Sequence, residues 1–247
     1  MSEGERFQRL ERQIGGDKLR RLRESLVTVA GLGAVGSYAV EGLARAGVGR
    51  LRLVDFDIVK PSNINRQLYA LDSTVGQPKA ELAGQRVRDI NPACAVETLR
   101  CFIHRETMAA VLDGPPDLLI DAIDSLVPKV ELLAAASQRG IPIISSMGAA
   151  RRQDATLIRT GPLAQVQTCP LARVVRKRLR RLGVAVDFTC VYSLERPAAL
   201  PRNEGEPEPD FLERGRRRQP LGSLPTITGI YGLMAAHEAL HRLLGGL

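Results

Sequence analysis

Apolar and polar positions along the chain follow two alternating patterns: short apolar runs, which predict strands, and segments of helical periodicity. The predicted strands are Leu26–Ala30, Leu51–Val54, Val96–Phe102, Leu118–Ala122, Ile141–Ser145, Thr156–Arg159 and Phe188–Tyr192. The predicted helices are Phe7–Leu22 with a break at Gly15-Gly16, a segment that ends at Gly47, Pro78–Ile90, Thr107–Leu112, Lys129–Arg139, Leu171–Leu182 and Leu221–Ala236. This alternation predicts an α/β fold: a Rossmann-like, mainly parallel sheet with flanking helices and a more antiparallel C-terminal half.

The chain is 44% hydrophobic and can bury one substantial core, although its length alone allows one domain or two. The alternation of strands and helices favours one domain over residues 1–247. Arg196–Pro220 contains five of the fifteen prolines and mixed charges, which predicts a mobile loop at about 196–220. Met1–Arg23 is polar, unlike a signal peptide. The C-terminal apolar segment is shorter than the roughly 20 residues of a membrane span. We therefore expect a cytoplasmic protein, with peripheral attachment to a membrane as the alternative.

The cysteines predict reduced thiols and no zinc site. The chain has four, at 94, 101, 169 and 190, without any C-x-x-C spacing. Cys190 falls on a predicted buried strand, where an inert packed thiol is the usual state. We therefore leave Cys190 out of the candidate catalytic residues.

Positive charge is concentrated in three arginine-rich segments: the N-terminal helix, residues 173–181 and residues 214–218. With a net charge of +8, such clusters suit a polyanion, although solvated basic faces are the alternative. The aromatic content of 4% argues against binding of single strands by stacking and leaves contacts to the backbone of a folded RNA. In the helix Leu171–Leu182, four basic residues share a broad face: Arg173, Arg176, Lys177 and Arg180. The predicted core-facing residues of the same helix are Val174, Val175, Leu179 and Leu182.

A glycine motif follows the first predicted strand and opens a helix. Gly31, Gly33 and Gly36 have the G-x-G-x-x-G spacing, in which glycines permit a tight turn, approach of a phosphate and close packing of helix and strand. Asp55, about twenty residues further on, stands where such folds hold a ribose hydroxyl. A dehydrogenase is compatible with these residues. Two cations, Arg66 and Lys79, favour a triphosphate over the two phosphates of NAD.

Several motifs together resemble the ubiquitin-activating-like adenylating enzymes. They are GLGAVGS (31–37), DFD (55–57), SNINRQ (62–67), VGQPKA (75–80), INP (90–92) and DAIDS (121–125). Within that family, three further segments are similar to the tRNA threonylcarbamoyladenosine dehydratases: RLERQIGGDKL (9–19), CVYSLE (190–195) and GSLPTITGIYGLMAAHEAL (222–240). The resemblance covers nearly the whole chain apart from the stretch after Arg196.

The resemblance implies ATP and Mg²⁺ as cofactors and assigns roles to particular residues. The glycines would form the phosphate turn and Asp55 would bind the ribose, while Asp57 would assist. The remaining assignments are Asn65 and Arg66 to the triphosphate, Lys79 to the α- and β-phosphates, Asp124 to Mg²⁺, and Arg12 to the ATP site of a neighbouring subunit in a homodimer. Taken singly, Arg66, Lys79 or Arg12 is compatible with a solvated surface cation, and Asp124 with the cap of the next helix.

The implied reaction is the ATP-dependent cyclisation of threonylcarbamoyladenosine in tRNA, whose backbone the basic helix would contact. In the family such dehydratases are linked to a cysteine desulfurase and sulfur-relay proteins. One alternative keeps the adenylation but acts on the C-terminal glycine of a ubiquitin-like sulfur-carrier protein. A nicotinamide-dependent oxidoreductase and a non-catalytic nucleotide-binding module are alternatives of another class.

Overall fold

One seven-stranded sheet runs through residues 3–199 and 221–246, the part of the chain that the structure, a computed structural model, describes. In chain order the strands are β1 (Leu26–Ala30), β2 (Arg50–Val54), β3 (Ala95–Leu99), β4 (Leu118–Asp121), β5 (Ile143–Ser146), β6 (Ile158–Pro162) and β7 (Thr189–Ser193). Their spatial order is β3-β2-β1-β4-β5-β7-β6. Neighbouring strands are parallel except β6 and β7, which are antiparallel, and this confirms the predicted fold class.

Helices cover both faces of the sheet. Within the described residues they are α1 (Glu3–Ile14), α2 (Gly16–Glu24), α3 (Gly36–Arg45), α4 (Lys79–Ile90), α5 (Met108–Leu112), α6 (Leu126–Gln138), α7 (Pro170–Arg181) and α8 (Pro225–Leu244). In β4, Leu118 and Ile120 pack into the cluster with α3, α4 and α8, while Leu119 packs into the cluster with α5, α6 and α7. The side chains alternate between two apolar layers because successive strand residues point to opposite faces.

Several helix boundaries differ from the predicted ones: α1, for example, begins at Glu3 rather than Phe7. Prolines explain where α6 and α8 begin. α6 begins at Leu126 rather than Lys129 because Pro128 lies in its first turn, where a missing N–H breaks no helical hydrogen bond. α8 covers Pro225–Leu244 rather than Leu221–Ala236: a proline begins it, and it ends before Gly245, which has a φ of 68°. Across the described ranges, no helix combines the length and the apolar character needed to cross a membrane.

Close packing of α8 against α3 brings the C-terminal segment to the glycine motif. A Cβ at Gly42 would lie 2.8 Å from the Ala236 Cβ, and one at Gly232 would overlap the Val35 carbonyl oxygen. The two helices can approach so closely only because these positions lack a side chain. Most of the predicted loop at 196–220 lies outside the described residues, which resume at Leu221.

Candidate nucleotide-binding site

The turn between β1 and α3 depends on two of its three glycines for its shape. Gly31 has a φ of 87°, and a Cβ there would lie 2.9 Å from the carbonyl group of Ala122. A Cβ at Gly36 would overlap the carbonyl oxygen of Gly31. At Gly33 the nearest neighbour of a Cβ would be the Gln67 side chain, at an ordinary 3.7 Å. The chain's own packing therefore explains Gly31 and Gly36 but not Gly33, where the lack of a side chain suits the approach of a phosphate.

Asp55 ties the end of β2 to this turn. Its Oδ2 accepts a hydrogen bond from the Leu32 amide at 2.7 Å, and its Oδ1 accepts one from the Asp57 amide at 2.9 Å. Burial raises the pKa of the Asp55 carboxyl, and the Lys79 ammonium and the two amides act against that rise. Asp55 is thereby fixed at the carboxyl edge of the sheet, where a Rossmann fold holds the ribose.

Lys79 and Asp57 form an ion pair beside Asp55. The Lys79 Nζ lies 2.5 Å from the Asp57 Oδ2, and the Lys79 amide donates to the Asp57 carbonyl oxygen at 3.0 Å. The Lys79 side chain is 7% exposed and that of Asp57 22%. Lys79 is the first residue of α4. Two predicted nucleotide contacts are thus in direct contact with each other, and the ammonium is held at the site by a carboxylate.

Asn65 and Arg66 lie on the loop between β2 and α4. The Arg66 Nη1 donates to the Asn65 Oδ1 at 2.8 Å and to the Ser62 carbonyl oxygen at 2.6 Å. The Asn65 Nδ2 donates to the Ser223 carbonyl oxygen at 3.3 Å, which joins this loop to the segment before α8. Further along the loop, the Tyr69 hydroxyl donates to the Ser37 carbonyl oxygen of α3 at 3.1 Å. The loop is therefore fastened to the helix that follows the glycine turn.

Asp124 is exposed on the loop between β4 and α6, at the same carboxyl edge of the sheet. The Ser125 hydroxyl donates to its Oδ1 at 3.4 Å. The described residues contain no group of three His, Cys, Asp or Glu side chains that could enclose a metal ion. Mg²⁺ commonly binds through one or two carboxylates together with substrate phosphates and water. A single carboxylate beside a triphosphate fits that coordination.

Comparison with known proteins shows the family of the chain. The model of the ThiF family matches residues 7–246. The chain belongs to the ThiF family. The tRNA threonylcarbamoyladenosine dehydratase of Bacillus subtilis is 40% identical to it over 239 residues, which cover 96% of this chain and 94% of that protein.

Solved structures show the same similarity to this ThiF-family chain. Crystal structures of Escherichia coli tRNA N6-threonylcarbamoyladenosine dehydratase, TcdA, match with TM-scores of 0.88 for the AMP complex and 0.86 for the ATP complex, at 32% and 31% identity. Each match covers 99% of this chain and 96% of the TcdA chain. Molybdopterin-synthase adenylyltransferase of E. coli is 38% identical over 138 residues, covering 56% of this chain and 54% of that protein.

Arg12 is exposed near the end of α1. The same helix is anchored by Phe7, whose ring is 3.4 Å from where a Cβ at Gly47 would lie, in the turn that leads into the start of β2. That is the edge of the sheet opposite the carboxyl ends of the strands. That Arg12 contacts the nucleotide of a neighbouring subunit stays a prediction.

The basic helix α7 divides its predicted RNA-binding residues into two kinds. Arg173, Lys177 and Arg180 are exposed. Arg176 is half-buried, and its Nη1 donates to the carbonyl oxygens of Leu163 at 3.0 Å and Val166 at 2.6 Å. The structure thus gives Arg176 a second task in fastening α7 to the preceding turn. Whether any of the four residues binds RNA stays a prediction.

The predicted core-facing residues of α7 need one correction. Val175 and Leu179 are buried and Val174 is half-buried, but Leu182 is 57% exposed. Leu182 is the residue after the last helical turn, where the chain leaves the helical course, so the helical periodicity no longer sets the direction of its side chain.

Cys190 and an ion pair are buried close to each other, and only the burial of Cys190 was predicted from the sequence. Cys190 is fully buried on β7, and burial raises the pKa of its thiol, so it is not poised as a nucleophile. Asp121 and Lys129 form a fully buried ion pair, with 2.6 Å between the Lys129 Nζ and the Asp121 Oδ2. This pair was not predicted. Its signal in the sequence is Lys129, the one basic residue of the mainly apolar segment 126–136, which follows a strand ending in aspartate.

Proposed function

We propose that this protein is an ATP-dependent dehydratase that acts on threonylcarbamoyladenosine in tRNA. The observation that carries the proposal is the match to such dehydratases along nearly their whole length: 94% of the B. subtilis protein, against 54% of molybdopterin-synthase adenylyltransferase. The ATP and AMP complexes of TcdA support ATP as the co-substrate. Two cations in the segment after β2, Arg66 and Lys79, support the same conclusion.

ATP makes the dehydration possible because hydroxide is a poor leaving group. A threonyl carboxylate oxygen attacks the α-phosphorus of ATP, and the bond from that phosphorus to the pyrophosphate oxygen breaks. The carbamoyl group then attacks the acyl carbon and releases a proton, while the bond of that carbon to the AMP oxygen breaks. One carboxylate oxygen leaves with AMP, so the nucleoside becomes lighter by one water. Since the nucleophile belongs to the substrate, the enzyme contributes mainly positioning and charge stabilisation.

Lys79 is the residue that we assign to the α- and β-phosphates. Its pairing with Asp57 holds the charged ammonium beside the ribose-binding Asp55 before nucleotide arrives. A triphosphate carries more negative charge than one carboxylate and competes with Asp57 for the same donors. As negative charge moves to the leaving pyrophosphate, the ammonium stabilises it. Asn65 and Arg66, which are already hydrogen-bonded to each other, would hold the outer phosphates.

Asp124 is the residue that we assign to Mg²⁺. Its exposed carboxylate at the end of β4 can reach a metal ion carried in by the nucleotide. When bound, the ion neutralises phosphate charge and so lowers the barrier to attack by a carboxylate.

Two surfaces complete the proposal. A homodimer would place Arg12 of one subunit in the nucleotide site of the other, since α1 is anchored at the opposite edge of the sheet. The exposed cations of α7 would bind the tRNA backbone in the cytoplasm, where the tRNA substrate occurs.

Pyrophosphate exchange separates this proposal from adenylation of a sulfur carrier. The protein is incubated with ATP, Mg²⁺ and labelled pyrophosphate, and either tRNA with threonylcarbamoyladenosine or a carrier protein ending in Gly-Gly. We expect label to enter ATP only with the modified tRNA, and unmodified tRNA serves as the control. Exchange that depends on the carrier and ignores the tRNA would favour the alternative.

A further inference from the structure

A buried ion pair hydrogen-bonds to the backbone of the loop that bears Asp124. The Asp121 Oδ2 and the Lys129 Nζ are 2.6 Å apart, and both side chains are 0% exposed. The pair holds both backbone groups of Ile123: the Lys129 Nζ donates to its carbonyl oxygen at 2.9 Å, and its amide donates to the Asp121 Oδ1 at 3.1 Å. Ile123 is the residue immediately before Asp124.

Neighbouring strands hold the same pair and loop. The Ser145 hydroxyl on β5 donates to the Asp121 Oδ2 at 2.6 Å. The Ala122 amide donates to the Ala30 carbonyl oxygen at the end of β1, at 2.8 Å. The Ala122 carbonyl group packs against Gly31, since a Cβ at Gly31 would lie only 2.9 Å from it. The loop therefore rests directly against the glycine turn that we assign to the phosphates.

Stability alone is a poor reason for such a pair. Two charges without solvent lose their hydration, and replacement of a buried ion pair by apolar residues of similar volume is often neutral or stabilising. The surroundings of this pair are apolar enough for such a replacement, since Leu132, Leu133 and Cys190 nearby are fully buried. What an apolar pair could not supply is the directed hydrogen bonding to Ile123 and Ser145.

We propose that the Asp121–Lys129 pair positions Asp124 for the metal-bound nucleotide. The pair fixes the backbone at Ile123, and α6 begins two residues after Asp124, so the backbone that carries the carboxylate is fixed on both sides. Asp121 and Lys129 are positioning residues, because neither has an exposed atom with which to touch a ligand. The inference rests on the proposed metal role of Asp124.

The test uses a double variant that removes both charges, Asp121→Asn with Lys129→Met, so that no unpaired buried charge remains. We expect the variant to fold and to bind tRNA normally. Half-saturation of adenylation by Mg²⁺ should shift upward by about tenfold, the scale seen when supporting groups around a metal ligand are lost. Hydrogen exchange of the amides of residues 122–125 should quicken, and this readout needs no activity.

A second ion pair, between β2 and β3, provides the control. The Arg52 Nε lies 2.6 Å from the Glu97 Oε2; the Arg52 side chain is 10% exposed and the Glu97 side chain 50%. Arg52 also donates to the carbonyl oxygens of Val111 and Asp113, away from the nucleotide site. The double variant Arg52→Met with Glu97→Gln should change stability without changing the Mg²⁺ dependence.

Other results of these experiments would contradict the positioning role of the pair or the metal role of Asp124. An Asp121–Lys129 variant with unchanged Mg²⁺ dependence and unchanged hydrogen exchange would reduce the pair to a structural feature. If that variant does not fold, Ser145→Ala, which removes one hydrogen bond to Asp121, replaces it in the test. Ser145→Ala should shift the Mg²⁺ dependence in the same direction by a smaller factor. An unchanged Mg²⁺ dependence would overturn the inference. If Asp124→Ala leaves the Mg²⁺ dependence intact, the metal assignment fails, and the exchange of residues 122–125 still tests the positioning.

Discussion

Neutralising the exposed cations of α7 should weaken tRNA binding and leave the fold intact. The perturbation is the triple variant Arg173→Gln, Lys177→Gln and Arg180→Gln, in which all three side chains are exposed. Glutamine matches arginine and lysine in helix propensity, so the helix itself should persist. Each lost phosphate contact lowers the log–log slope of affinity against salt by about 0.7–0.9, so three contacts lower it by about 2–2.7.

Stability should move in the opposite direction from binding. Arg173 and Lys177 are four residues apart, and Lys177 and Arg180 three apart, so both pairs repel on the helix surface. Such pairs cost about 0.2–0.5 kcal/mol each, and their removal should stabilise the protein by about 0.4–1 kcal/mol. A variant that merely damaged the fold would lose stability together with affinity.

Arg176→Gln is the matched control on the same helix. It removes the hydrogen bonds to Leu163 and Val166 and leaves carbonyl oxygens without that donor, which should cost about 1–3 kcal/mol of stability. The variant should lower the log–log slope of affinity against salt by at most the amount for one phosphate contact, about 0.7–0.9. The assay is tRNA binding by fluorescence anisotropy between about 50 and 200 mM salt, with thermal unfolding in parallel. An unchanged slope in the triple variant would refute tRNA binding by this face.

Three further predictions concern the nucleotide site and the fold around it. Lys79→Ala should lower adenylation by roughly a hundredfold, the scale for loss of one transition-state charge contact, while tRNA affinity stays near that of the wild type. Wild-type turnover of the variant would remove Lys79 from the site. Mixing equal amounts of Arg12→Ala and Lys79→Ala protein should restore about a quarter of wild-type activity, because half of the dimers carry one intact site; no recovery would contradict action of Arg12 across a dimer. Burial alone would raise the pKa of Glu41, but hydrogen bonds from Arg86 and Arg45 lower it below its ordinary 4.5. The ionised carboxylate therefore stabilises the protein above that pH, and this stabilisation is lost as the pH falls through the lowered pKa. The difference in unfolding temperature between wild type and Glu41→Gln should shrink below about pH 4.5. A difference that stays constant with pH would count against the pairing.

The sequence was sufficient for the order of the elements and for the residues that meet at the carboxyl edge. Strand runs bounded by glycine and aspartate are local signals, and parallel strands bring their carboxyl ends together, so Gly31, Asp55 and Asp124 could be placed at one edge from sequence alone. Helix boundaries were less accurate where proline and glycine set them, as at Pro128 and Gly245, because periodicity does not register where a helix starts.

Contacts between distant segments could not be predicted. The Asp57–Lys79 pair joins residues 22 apart, and the Asn65–Ser223 hydrogen bond joins residues 158 apart. Such contacts depend on how loops pack after the sheet has formed. The same holds for Arg176: helical periodicity put it with the exposed cations, but the turn at Leu163–Gln165 lies against that side of α7 and takes its guanidinium. Charge patterning alone does not separate a cation that serves the fold from one that is free to bind a ligand.

The most direct test of the central claim is mass analysis of the modified nucleoside after incubation of the protein with ATP, Mg²⁺ and tRNA that carries threonylcarbamoyladenosine. We expect a nucleoside lighter by one water, formed together with one AMP for each molecule cyclised, and neither product when ATP is omitted. Lys79→Ala should form both products roughly a hundredfold more slowly. An unchanged nucleoside mass in the presence of active, folded protein and ATP would contradict the proposed function.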